Sequence, residues 1–380
     1  MFCMAKVGFR RWQAGLALVL GFTGAAQSAE PASAPHASAE TRWMRVPRLY
    51  GRITANELGL VINTADPYSI AVGEYYARRR GIPAEQILRV HLPLRNSLTR
   101  EEFTALDQAI RSQMPEHVNG LALAWVQPYA VDCNSLTSAL GVGLQPNVCA
   151  QSCAATRTNP YTNYFGAKPW LVIGVRPTMQ LAARSVPAAM AMIERGIASD
   201  HTLAAGAPES AMAYLASTPD AARNVRERLF PPAGAVPGVA GLEVARVKSD
   251  ALPAMRRILV YETGLIRVPK PLGGEWLPGA LADHLTSVGG LLDKPPADEG
   301  QMNILDWIDA GATASYGTVS EPCNHLQKFP HPQMLIQAYA QGVSALEAYW
   351  HSVAWPAQGV FVGEPLAAPF AALPASAPAP

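Results

Sequence analysis

The chain has 380 residues, 49% of them hydrophobic and only 16% charged, with a formal net charge of +1. Globular proteins average about 25% charged residues, so there is ample apolar material for a large core, and the length allows one domain or two. A nearly neutral chain without a basic run gives no reason to expect nucleic-acid binding.

Lys6, Arg10 and Arg11 precede a short apolar run from Ala14 to Ala26, and Ala26-Gln27-Ser28 places small residues at cleavage spacing. This is the layout of a secretory signal peptide over residues 1–28, too short for a membrane span. Retention as an uncleaved anchor stays open. Cleavage after Ser28 removes three positive charges and no negative ones, which takes the net charge from +1 to −2. No later stretch approaches the ~18 continuous apolar residues that a span needs, so no transmembrane span is expected after cleavage. The expected location is the periplasm or the extracellular side of the cell envelope. Residues 29–41 are rich in Ala, Pro and Ser and read as a disordered linker, and residues 371–380 as a tail of the same kind.

Between them, 42–370 reads as a single α/β domain. Leu58 to Asn63 is a short buried strand, followed by the turn Asp66-Pro67 and a helix from Ser69 to Arg80 that Gly81-Ile82-Pro83 stops. Ile87 to Leu92 is the next strand. Thr99-Arg100-Glu101-Glu102 is a capping box that opens a helix ending near Met114. Gly120 to Val126 is a third, fully apolar strand. This β-α-β-α-β order implies a parallel sheet with helices on its faces. From about 127 to 181 the pattern breaks into an irregular insertion with three cysteines, and loops of that length are usually functional or constrained. Order resumes with a helix over 186–197, a strand over 211–216 and a helix over 218–229. A strand over 242–247, a short helix and the strand Ile258 to Tyr261 follow. Ala282 to Val288 is another apolar run. A helix over 301–309 then leads into a strand over 312–319, and 332–353 reads as one long last helix. In an open α/β sheet, ligands bind beyond the carboxyl ends of the strands, which makes the loop after Val319 a candidate site.

If the chain is exported, Cys3 leaves with the signal peptide and Cys133, Cys149, Cys153 and Cys323 remain. Four cysteines in an oxidising compartment allow up to two disulfides and three connectivities. A pairing worth testing ties Cys133 to the 149–153 loop and leaves Cys323 with the other member.

The motifs of nucleotide and zinc-peptidase chemistry are missing: there is no Walker loop, no Rossmann glycine fingerprint and no His-Glu-x-x-His. No cofactor is expected. Cys323-x-His325 with Glu321 and His331 lacks the paired modules of a structural zinc site, so no metal is expected and Cys323 reads as a disulfide partner. Asp283-His284-Leu285-Thr286-Ser287 offers an acid, a base and a hydroxyl on one strand end. Strand alternation puts Asp283 and Ser287 on one face and His284 on the other. A Ser287 nucleophile would therefore take its base from the next loop, from His325 or His331. In the alternative reading, Thr286 and Ser287 satisfy backbone groups at a strand end. Tyr316, Thr318 and Glu321, with Thr286, form the expected wall of a binding cleft.

Several blocks carry a resemblance: Ser69 to Pro83, Pro128 to Ala139, Gly311 to Pro322, Lys328-Phe329-Pro330, Glu347 to Trp350 and Val362 to Leu366. Together they resemble an uncharacterised bacterial secreted family that co-occurs with the exosortase system, which sorts exported proteins bearing a C-terminal anchor. The resemblance implies envelope biology and no established reaction. The closing pattern, a Gly-Ala strand, a long helix and Gly363-Glu364-Pro365, resembles gingipain-type cysteine peptidases, which have the caspase-like α/β/α sandwich. Aligned by pattern, their catalytic His falls near 262–274, where there is no His, and their catalytic Cys falls at Thr286-Ser287.

The expected fold is a three-layer α/β/α sandwich with a mostly parallel sheet, caspase-like in architecture. The expected function is binding of an exported polypeptide or polysaccharide in a cleft at the carboxyl edge of the sheet. The alternative is a caspase-like hydrolase with the thiol dyad replaced, using Ser287 as nucleophile, His325 as base and Asp283 behind it.

Overall fold

Leu58–Asn63 forms β1, apolar and buried along its whole length. The structure, a computed structural model, describes residues 42–268, 274–295 and 300–373. The signal-peptide and linker expectations, and most of the expected tail, lie outside them. Asp66 caps α1 (Pro67–Arg80) by accepting the Tyr68 N–H at 2.9 Å, and Pro67 stands where a helix has an orphan N–H anyway. After β2 (Ile87–Val90) and the two-residue β3 (Ser97–Leu98), Thr99 and Glu102 close their capping box and open α2 (Arg100–Gln113). Then come β4 (Gly120–Leu123), β5 (Ala130–Val131), β6 (Asn134–Ser135) and α3 (Leu136–Val142). They are followed by α4 (Pro169–Ile173), β7 (Thr178–Gln180) and α5 (Val186–Ser199). The second half runs β8 (Ala211–Ser217), β9 (Gly234–Ala235), β10 (Leu242–Lys248), β11 (Met255–Thr263) and β12 (Gly274–His284). It closes with α6 (Leu305–Ala310), β13 (Ala314–Thr318), α7 (Pro332–Ala340), α8 (Ala345–Ser352) and β14 (Gly359–Gly363).

Eleven strands form one sheet in the order β2-β1-β4-β7-β14-β13-β12-β11-β8-β10-β9, and β3, β5 and β6 form a small second sheet. Within the large sheet only β13–β14 and β9–β10 are antiparallel. Helices cover both faces, giving the mostly parallel α/β/α sandwich. The β13–β14 pairing has a consequence for function. It turns one half against the other, so β1, β2, β4, β7 and β14 end at one edge, while β8, β10, β11, β12 and β13 end at the opposite edge. The sheet has two carboxyl edges.

Four local expectations are corrected. The helix expected over 332–353 is two helices. Gly342 breaks it with φ +89°, and Ser344 restarts the chain with a capping box to Glu347. The insertion at 127–181 is partly regular: it holds α3 and contributes β7 to the middle of the large sheet. Three residues are too few to show a period. The helix expected over 218–229 is a six-residue 3-10 turn, Asn224–Leu229, and residues 249–251 form a turn where a short helix was expected. Strand β14 was not anticipated, although Gly359-Val-Phe-Val-Gly363 is apolar and fully buried.

Candidate binding site

Register across the second half-sheet aligns Glu262 of β11, Asp283 of β12, Tyr316 of β13 and Phe361 of β14 in one row. In-register neighbours share a face, here the face covered by α8, whose Tyr349 stacks on Tyr316 at 6.5 Å. Arg226, from the 3-10 turn, enters this row from the strand ends. Its guanidinium bonds Asp283 Oδ1 and donates to Thr263 O at 3.1 Å, while its Nε lies 3.8 Å from Glu262. All three charged residues are buried. Burial opposes the charge on Arg226, but Asp283 and Glu262 hold it charged. Burial also raises both carboxyls, Glu262 well above the ordinary carboxylate range, with Asp283 adding to that shift and Arg226 opposing it. Among the described residues neither oxygen of Glu262 has a hydrogen-bond partner. Arg226 hydrogen-bonds one carboxyl, Asp283, and burial favours the protonated form of Glu262.

Asp283 and His284 point to opposite faces. The His284 ring accepts the Trp307 indole N–H on Nδ1 at 2.9 Å and faces Met302 O with Nε2 at 3.0 Å. That pattern fixes a neutral ring with its proton on Nε2, and burial lowers its pKa to about 4. Asp283 is engaged by Arg226, not by a histidine. Ser287 is half-buried, and its carbonyl accepts the Thr318 hydroxyl at 2.7 Å. Among the described residues no hydrogen bond joins the Ser287 hydroxyl to a histidine or a carboxylate. His325 lies beside Trp355, with ring centroids 5.9 Å apart. The structure does not gather Ser287, His325 and Asp283 into one hydrogen-bonded set.

The loop after β13 is tied down at many points. Cys133 pairs with Cys149 and Cys153 with Cys323. Cys323 and Asn324 take φ of +59° and +55°, uncommon for residues other than glycine. The Glu321 carboxylate holds them by accepting the Cys323 N–H at 2.7 Å. Ser320 donates to Cys133 O at 2.7 Å, and Gln358 donates to Glu321 O at 2.6 Å. The expected cleft wall is mostly interior: Thr286, Tyr316 and Thr318 are buried, and only Glu321 is exposed. Gly317 explains part of this closeness. A Cβ there would stand 2.9 Å from Gly290 N, so the chain after β12 passes directly over β13.

Next to this loop a crevice of about 270 Å³ opens. It lies beyond the carboxyl ends of β11 to β13, between the 3-10 turn of Arg226 and the start of α7. Leu229, Leu326, Met334 and Ala354 supply an apolar lining, and Gln327 and His331 add polar groups. His331 donates its backbone N–H to Ser352 O at 2.9 Å, its Nδ1 has no partner among the described residues, and burial lowers its pKa, which favours a neutral ring at the wall. Arg226 Nη1 reaches Pro330 O at 3.5 Å, so the buried ion pair lies directly beneath this segment.

Sequence reasoning did not single out Arg226, Glu262 or the crevice. Arg226 gives no signal within Val225-Arg-Glu-Arg228, a stretch that reads as an ordinary charged surface. Glu262 gives one: a carboxylate closing the apolar run Ile258-Leu-Val-Tyr261 has to be buried or neutralised. Tyr129, Tyr161, Tyr316 and Trp350, which in sequence suggest a ligand groove, are buried packing residues. Among the described residues no group of three or more His, Cys, Asp or Glu is placed to hold a metal ion. No helix among them is long and apolar enough to cross a membrane. No protein-family model matches the chain, and no curated protein matches it in sequence.

Proposed function

We propose that this is an exported cell-envelope protein that binds a polypeptide by seating an apolar side chain in the crevice beside His331. The crevice carries the reading: about 270 Å³, apolar at its walls, with a few polar groups at fixed positions. That volume suits one large side chain. A polysaccharide groove would need exposed aromatic faces, and among the described residues no Phe, Tyr or Trp lines the crevice. Asp283 is bonded by Arg226 and His284 by Trp307 and Met302, and among the described residues no hydrogen bond joins the Ser287 hydroxyl to a histidine or a carboxylate, which supports binding over turnover. Export is supported by the signal-peptide layout of residues 1–28 and by two disulfides, which persist in oxidising compartments. The resemblance to the exosortase-associated family points to an exported polypeptide as the ligand.

The test uses phage-displayed random peptides and a glycan array, probed with wild type and with Ala354→Trp, which fills the crevice. Peptides anchored on Leu, Met or Phe are expected to bind wild type and to lose at least about tenfold in affinity for the variant. Equal affinity for both proteins would remove the crevice from the reading. Glycan binding that Ala354→Trp abolishes would replace the polypeptide by a polysaccharide.

A further inference from the structure

Strand β2 ends the large sheet on one side, and among the described residues only β1 pairs with it. The Val90 carbonyl accepts the Thr64 N–H at 2.7 Å, so Val90 turns its peptide groups toward β1. Asn63 continues the pairing with its side chain, bonding the Leu92 N–H at 2.9 Å and the Leu92 carbonyl at 3.1 Å. Residues along a parallel strand direct their peptide groups to alternate sides. Arg89 and His91 therefore turn theirs to the free side. At the other end of the sheet β9 is only two residues long, an edge too short to template another strand.

Beside the free edge lies a groove of about 570 Å³ between β2 and α2. Val90, Leu92, Ala105, Leu106 and Ala109 give it an apolar lining. Short strands, charges and prolines are common guards on sheet edges, and Arg89 and Pro93 fit that description. A guard has no need of an apolar groove alongside. Side chains of β2 alternate between the two faces. Val90 packs on the α2 side, while Arg89 lies on the α1 side, 3.6 Å from Glu74 with both groups about half exposed. Arg78, one turn along α1 from Glu74, and His91 are exposed as well. The α1 side of this edge thus carries Arg78 and Arg89 beside Glu74.

We infer that the β2 edge takes up an extended segment of a partner polypeptide as an added strand, its apolar side chains in the α2 groove alternating with acidic side chains toward Arg89. A row of free backbone donors and acceptors is matched by another backbone, and pockets for alternate side chains supply selectivity. A second copy of this chain is a poor partner, because two-fold pairing in the register centred on β2 sets Arg89 against Arg89. The site is distinct from the crevice and does not depend on it.

The test measures binding to the mature chain, from Ala29, by fluorescence anisotropy. The probes are a labelled Glu-Val-Glu-Leu-Glu-Val-Glu peptide, its forms N-methylated at alternate amides, and its Lys-for-Glu form. The Glu peptide is expected to bind, and methylation in one phase to weaken it at least about tenfold by blocking ladder hydrogen bonds. Ala105→Trp, at an exposed position lining the groove, should weaken it by at least about tenfold as well. Arg89→Glu should shift preference to the Lys peptide, and Ala354→Trp in the crevice should change nothing here. No binding below about 1 mM, or equal binding of the methylated forms, would show a guarded edge and overturn the inference. A dimer formed without peptide and lost in Ala105→Trp would overturn it in favour of self-pairing.

Discussion

At the scale of single residues, Arg226 stands between two carboxylates and answers only one. Asp283 takes the direct hydrogen bond, and Glu262, whose oxygens have no hydrogen-bond partner among the described residues, holds its proton to a higher pH than an exposed carboxyl does. The pH consequence follows from linkage. In the unfolded chain Glu262 releases its proton near the ordinary value of about 4.3, whereas the folded protein holds it to a higher pH. In that interval the folded state binds more protons, so this group lowers stability as pH rises. Glu262→Gln keeps the shape and removes the titration. It is expected to stabilise the protein by about 1–3 kcal/mol at neutral pH and by nearly nothing below about pH 4, read from urea denaturation at several pH values. An equal effect at both pH values would show that Glu262 is ionised in the fold. Part of this was legible in sequence, since alternation alone put Asp283 and His284 on opposite faces. Arg226 was not, because it arrives from a different segment of the chain.

At the scale of elements, caps and breakers decided more than propensity. The Thr99–Glu102 box stands as read from the sequence, because it is a local bond between residues three apart, whereas Asp66-Pro67, read as a turn before a helix at Ser69, is the N-cap and first residue of that helix. The break between α7 and α8 depends on Gly342, whose φ of +89° suits glycine alone and whose missing Cβ would lie 2.9 Å from Phe370 O. Gly342→Ala is expected to cost about 1–3 kcal/mol, measurable as a lower urea midpoint at unchanged slope. An unchanged midpoint would mean that the 341–344 turn adapts. The capping box of α8 reaches further than a helix start usually does. The Glu347 carboxylate also accepts the Ile53 N–H at 3.1 Å and faces the Tyr161 hydroxyl at 3.3 Å, joining the segment before β1 and the 127–181 insertion to this helix.

At the scale of the whole molecule, the two disulfides differ in what they close. Cys133–Cys149 spans 16 residues and Cys153–Cys323 spans 170. In the chain-entropy picture these contribute about 3 and about 5 kcal/mol. Replacing Cys153 and Cys323 by Ser is expected to destabilise more than replacing Cys133 and Cys149, compared by urea denaturation. The reverse order would mean that the unfolded chain already holds the 153–323 loop closed. By itself the sequence determined the fold class, the starts of α2, α5 and α7 and most of the apolar strands, because these rest on periodicity and on local hydrogen bonds. The four cysteines, too, were visible as a set of possible bridges. Only the tertiary structure decided their pairing, the antiparallel β13–β14 junction and the burial of the Thr286–Thr318 wall. Strand direction and register depend on contacts between segments far apart in the chain, for which local pattern carries no information. Hence the expected single carboxyl edge became two. One bears a crevice over a buried ion pair, and beside the end of β2 at the other lies a free strand with an apolar groove.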